Sequence, residues 1–214
     1  SVGSEMCIRD RYYSLFTPAG FTFAVWYVIY LGLAVFVVYQ SMPAQRQNES
    51  LAKLSPWFKV GCLANVLWIF VWHMEWIMVA LLLIIALLVS LVRVYRLSSD
   101  ELWQVRWPFS LYLGWISVAT IANISAMQSA LGWNDLGIDA VAWTLVKLAI
   151  AGAITVVVVL RRHDFVYGLV VAWAAFGISA GQAATPAVAG AATTLYFLLL
   201  LLLIYDGARR LSSR

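Results

Sequence analysis

The chain reads as an all-α, polytopic transmembrane bundle of about seven helices. Three observations carry that reading: a composition too apolar for a water-facing surface, seven long apolar stretches, and basic residues confined to alternate connections. Of 214 residues, 64% are apolar and only 11% are charged, with a mean hydropathy of +0.87. A soluble domain is about half apolar and about a quarter charged. This excludes a soluble enzyme, a disordered tail and a nucleic-acid-binding domain. The net charge of +4 is accounted for below by topology, so no nucleic-acid partner is expected.

The elements follow in chain order. The stretch Met6-Cys7-Ile8-Arg9-Asp10-Arg11 resembles the in-frame translation of a transposon adapter used in DNA sequencing. Residues 1–11 are therefore set aside from the fold, and the native N-terminus is expected to be missing. A helix that crosses about 30 Å of hydrocarbon needs roughly 20 mostly apolar residues. The first such helix is expected from Gly20 to Ser41, after the breaker Thr17-Pro18-Ala19-Gly20. The second is expected from Pro56 to His73 and the third from Trp76 to Arg96, with a tight hairpin at His73-Met74-Glu75 between them. The fourth runs from Pro108, read as a first-turn proline, to Ala130. The fifth spans Asp139 to Leu160, the sixth Phe165 to Gln182 and the seventh Ala187 to Tyr205. Runs of this length argue for helices rather than a barrel.

The charges test this segmentation. Alternate connections hold Arg46, Lys53 and Lys59, then Arg93, Arg96 and Arg106, then Arg161 and Arg162, then Arg209, Arg210 and Arg214. The intervening ones hold Glu75, then Asp135 and Asp139, then no charge. Residues 1–11 and Lys147 aside, every Lys and Arg falls in the first set. Positive-inside bias then predicts an odd number of crossings, with the C-terminus cytoplasmic and Tyr12 outside. The expected location is an integral protein of a bacterial cytoplasmic membrane, with the lipid bilayer as its surroundings.

Eleven tryptophans sort by depth. Trp57, Trp103 and Trp107 flank cytoplasmic ends, and Trp72, Trp76, Trp133 and Trp143 flank external ends, as an interfacial belt requires. Trp26, Trp115 and Trp173 lie within their helices, and Trp68 is one turn from an external end. For these four, lipid-facing packing and lining of a cavity are equally compatible with the spacing. Asn65, Asn123 and Lys147 are the polar side chains deepest in apolar runs. Asn65 shares a helix face with Trp68, and Asn123 shares one with Trp115 and Ala119. Each asparagine either bonds across a helix interface or faces a ligand. Lys147 either snorkels or marks an intramembrane polar site of a small-molecule permease.

Cys7 and Cys62 have no second thiol or histidine at ligand spacing, so no metal site is expected. There is no HExxH, phosphate loop or aspartate-rich pair, so no catalytic residue is assigned and the non-enzymatic reading is preferred. Gly177 and Gly181 form a GxxxG pair, which permits close helix approach within the chain or in a homodimer.

Three motifs carry a family resemblance. Phe16-Thr17-Pro18-Ala19-Gly20-Phe21-Thr22-Phe23-Ala24-Val25-Trp26, followed by Tyr30, resembles the signature opening the second helix of the TspO/MBR family, the tryptophan-rich sensory or translocator proteins. Asn65-Val66-Leu67-Trp68 is similar to their Asn-x-x-Trp helix, and Pro108, Trp115, Ala119 and Asn123 to their last-helix motif. Ala19 stands where the family usually has a second proline, and Phe21 where it has a tryptophan. The family has five helices, so the resemblance implies helices two to five over residues 12–130, with three additional helices over 131–214. It also implies a pocket lined by Trp26, Tyr30, Asn65, Trp68, Trp115, Ala119 and Asn123. Its ligand would be a tetrapyrrole such as a porphyrin or haem, or a sterol-like molecule, and no cofactor is required. Transport, sensing and light-dependent porphyrin degradation are all activities described for such proteins.

Overall fold

The computed structural model describes residues 14–98, 103–132 and 137–212. The adapter-like stretch, Tyr12, Trp133, Asp135 and Arg214 lie outside the described residues. A short 3-10 turn, Gly20–Ala24, leads into α1 (Val25–Ser41). After it come α2 (Glu49–His73), α3 (Ile77–Leu97), α4 (Trp103–Ala130), α5 (Ala140–Arg162), α6 (Phe165–Gly181) and α7 (Pro186–Ser212). Among the described residues the expected all-helical bundle is what forms, and six of its seven helices are long and apolar enough to cross a membrane. The exception is α6, whose 17 residues reach about 26 Å at 1.5 Å per residue.

Several expected boundaries are corrected. The second helix begins at Glu49 rather than Pro56, because Asn48 caps it by accepting from the Leu51 amide at 3.2 Å. Pro56 sits inside the helix. The fourth helix begins at Trp103, so Pro108 is internal as well and not a first-turn proline. An interior proline removes its own amide from the ladder and crowds the carbonyl four residues back, yet the helix continues through both positions. At the start of α1, residues 20–24 take the tighter 3-10 form. The last helix runs on to Ser212, well past the expected Tyr205. Asp139 and Asp164 cap α5 and α6, accepting from the Ala142 and Tyr167 amides at 2.7 and 2.9 Å.

The basic helix ends gather at one end of the bundle. There the Arg93 guanidinium stands 5.6 Å over the Trp57 ring, and Arg106 donates to the Arg162 carbonyl at 3.1 Å. At the same end Asp164 is buried and receives the Tyr95 hydroxyl at 2.6 Å and the Ser110 hydroxyl. A carboxylate can stay in so apolar a place only when donors surround it. These bonds join α3, α4 and α6. Beside them the His163 ring meets Asp206 of α7 at 2.9 Å.

α4 is the centre of the bundle, packed by α1, α3 and α6. It is the least apolar of the six long spans and the most enclosed, with 72% of its span buried against 22% for α7. α6 and α7 form the second close pair, and α5 leans on both. At the end opposite Asp164, residues 16–24 lie as a strap across α6. The Ala19 amide donates to the Gly177 carbonyl at 2.9 Å, Gln182 Nε2 to the Thr17 carbonyl at 3.2 Å, and Trp173 Nε1 to the Thr22 carbonyl at 3.0 Å. The GxxxG pair is thus used inside the chain. A Cβ on Gly177 would stand 2.6 Å from Thr22 Cγ2, and one on Gly181 would stand 2.9 Å from the Ala19 nitrogen.

Close packing of small residues is the main attraction between helices in lipid, which predicts a sharp contrast. Gly177→Ala should destabilise by about 1–3 kcal/mol through overpacking, seen as a lower melting temperature in detergent. Gly190→Ala, on α7 with nothing within 4 Å of the new atom, should leave it unchanged or slightly raised. Equal stability of both variants would mean that the strap is not seated on α6.

Candidate functional site

The residues singled out on α1, α2 and α4 converge in one aromatic cluster. Trp26 is at its centre. It stacks on Tyr30 at 5.5 Å and on Trp68 at 6.5 Å, and meets Tyr112 and Trp115 edge-on at 5.9 and 6.3 Å. Such pairs contribute about 0.5–1.5 kcal/mol each beyond burial. Two further rings belong to the cluster: Phe23, edge-on to Trp115 at 5.7 Å, and Trp72, 6.0 Å from Trp68. Tyr112 and Phe23 were not among the sequence candidates, although each lies three residues before a tryptophan that was. That i, i+3 spacing was the available signal. Trp72, next to the end of α2 where an interfacial belt is expected, reaches the cluster as well.

α1 and α2 meet through these side chains and through the Phe36–Phe58 pair at 5.1 Å, while both α1 and α3 press their backbones on α4. The cluster therefore fills a wedge between α1 and α2 with α4 as its floor. Trp115, on the floor, is only 3% exposed, whereas Phe23 and Tyr30 at the rim are 41% and 46% exposed. All four deep tryptophans turn inward. Trp26 and Trp68 are half-buried in the cluster, Trp115 is in the core, and Trp173 is half-buried on α6.

The polar groups divide into satisfied and unsatisfied. Trp68 Nε1 donates to Asn123 Oδ1 at 3.1 Å, and Asn123 Nδ2 donates to the Ala119 carbonyl at 2.9 Å. Both ends of that amide are engaged, and α2 is tied to α4. Asn65 Nδ2 reaches the Tyr30 hydroxyl at 3.4 Å, a long bond. By contrast, Asn65 Oδ1 and Trp115 Nε1 are buried with no hydrogen-bond partner among the described residues. An unsatisfied buried acceptor or donor costs about 1–3 kcal/mol. One acceptor and one donor therefore remain unmet within a cluster of π-faces.

Lys147 lies elsewhere. Its Nζ donates to Gln128 Oε1 at 2.6 Å, linking α5 to the last turns of α4. Among the described residues no group of His, Cys, Asp and Glu could hold a metal ion.

The Trp68–Asn123 bond can be weighed by a double-mutant cycle on Trp68→Phe and Asn123→Ala. Interhelical hydrogen bonds in membranes average about 0.6 kcal/mol and reach about 1.7. A coupling within that range, from unfolding in mixed detergent, is the expected result. No coupling would mean that α2 is held to α4 by packing alone.

Compared with known proteins, the chain matches the family model described as TSPO-like protein over residues 4–205. The matched stretch runs through α1 to α6 and into α7. No curated protein and no solved structure gives a match.

Proposed function

Because the chain belongs to the TSPO-like protein family, we propose that this membrane protein of TspO type is a receptor or carrier for an apolar aromatic ligand, of tetrapyrrole class, bound in the α1–α2–α4 cluster. The observation that carries the reading is the convergence of Trp26, Tyr30, Trp68 and Trp115 around two unmet polar atoms, Asn65 Oδ1 and Trp115 Nε1. Indole faces stack on a flat ring, and a ring that offers one acceptor and one donor would satisfy both atoms. In the present packing the rings stack on one another. Entry therefore requires the rim rings Phe23 and Tyr30 to swing outward with the start of α1. Ala119 is small and leaves space beside Trp115 when they do.

Titration with protoporphyrin, read by quenching of tryptophan emission, tests this. The wild type should quench saturably. Trp115→Ala should lose about 1–3 kcal/mol of affinity, roughly five- to two-hundred-fold, as a buried anchor is removed. Ala119→Leu should weaken binding while the melting temperature is kept. Changes under twofold in both variants would remove the cluster as the binding site.

The orientation belongs to the same proposal: the basic end of the bundle faces the cytoplasm, the C-terminus with it. With Cys7 and Cys62 replaced by serine, cysteine at Ile138 should react with an impermeant external thiol reagent, and cysteine at Arg161 should not. The reverse pattern, or labelling at both, contradicts the orientation.

A further inference from the structure

An apolar opening lies on the other side of α1 from the aromatic cluster. A largely open cavity of about 410 Å³ lies between α1, α4, α6 and α7, with Val25, Val28, Leu111, Leu169, Trp173 and Tyr196 among its walls. None of the seven cluster residues lines it. Its volume falls in the range of small-ligand sites. The walls are apolar except for the Trp173 indole and the Tyr196 phenol, and the indole N–H is already donated to the Thr22 carbonyl. Another wall residue, Leu200, stands about 20 Å from either end of α7 at 1.5 Å per residue, so the opening is at the depth of the hydrocarbon.

We propose that this cavity is a binding site for one acyl chain of a membrane phospholipid. Three features identify the occupant. The mouth residues Val28 and Leu169 are each 46% exposed and continue into lipid-facing surface, with Leu31 at 64% on α1 and Phe197 and Leu198 at 57% on α7. The cavity is therefore continuous with the face that bilayer chains already cover. Its walls offer no charge, so a charged head group must stay outside, at the interface. A chain in the cleft regains on both sides the dispersion contacts that bare walls would lose. The site shares α1 with the aromatic cluster: Val25 and Val28 face the chain, while Trp26 and Tyr30 face α2 and α4. It does not depend on what the cluster binds.

Native mass spectrometry of the detergent-purified protein tests the proposal. The wild type should retain one phospholipid, and the double variant V28W/L169W, which fills the mouth, should lose it. L198W, on the open lipid-facing surface of α7, should retain it. Equal phospholipid retention in all three, or a retained mass that is a free fatty acid, would overturn the proposal. A second measurement does not depend on how the double variant folds. In vesicles of phospholipid brominated at mid-chain, the emission lost on Trp173→Phe should be quenched by at least half relative to unbrominated vesicles. A Trp173 component left unquenched would overturn the proposal as well.

Discussion

In hydrocarbon a polar group is tolerable only where other helices cover it, and this constraint arranges the molecule around α4. A helix facing lipid must be apolar on its outer side, and the outer helices are. α4 is enclosed by α1, α3 and α6, and among the described residues it buries more polar side chains than any other long span: Ser110, Thr120, Asn123 and Ser125. Two polar centres follow from that one fact. Near the basic end, Ser110 helps to hold the buried Asp164 that caps α6. Further along, Asn123 takes the Trp68 indole and fixes α2 against the floor of the aromatic cluster. Removing the cover from α4 would expose both centres to lipid at once.

The strap at residues 16–24 transmits a second constraint. Three hydrogen bonds tie it to Gly177, Trp173 and Gln182, and Phe23 near its end is part of the rim of the cluster. Phe23 meets Trp115 while its neighbour Thr22 accepts from Trp173. The position of α1 is thus set jointly by α4 and α6. α1, into which the strap leads, separates the aromatic cluster from the apolar cleft: Trp26 and Tyr30 line the one, Val25 and Val28 the other.

Much of this was legible before the structure. Seven apolar stretches and a clean charge alternation specified the helices, because lipid leaves the backbone few alternatives. The convergence of Trp26, Tyr30, Asn65, Trp68, Trp115 and Asn123 was foreshadowed by i, i+3 and i+4 spacings that put each pair on one face. The helix starts at Glu49 and Trp103 were missed, because each helix carries an internal proline, Pro56 or Pro108, that looks like a beginning. Also invisible was the use of Gly177 and Gly181. A GxxxG pair records that something comes close but not what, and here it is an irregular strap rather than a helix. The saturation of Asn123 and the isolation of Asn65 Oδ1 depend on tenths of an ångström and leave no trace in residue spacing.

The central claim is that the α1–α2–α4 tryptophans receive a ligand rather than merely pack. The most direct measurement is the indole N–H spectrum of the protein labelled with nitrogen-15 tryptophan, recorded as protoporphyrin is added. The account predicts that the Trp115 resonance, from a buried donor with no partner in the described structure, moves saturably on gaining one. The exposed Trp103 should stay in place. A Trp115 resonance that holds its position at saturation, while the interfacial tryptophans shift, would contradict the account and leave the cluster as packing alone.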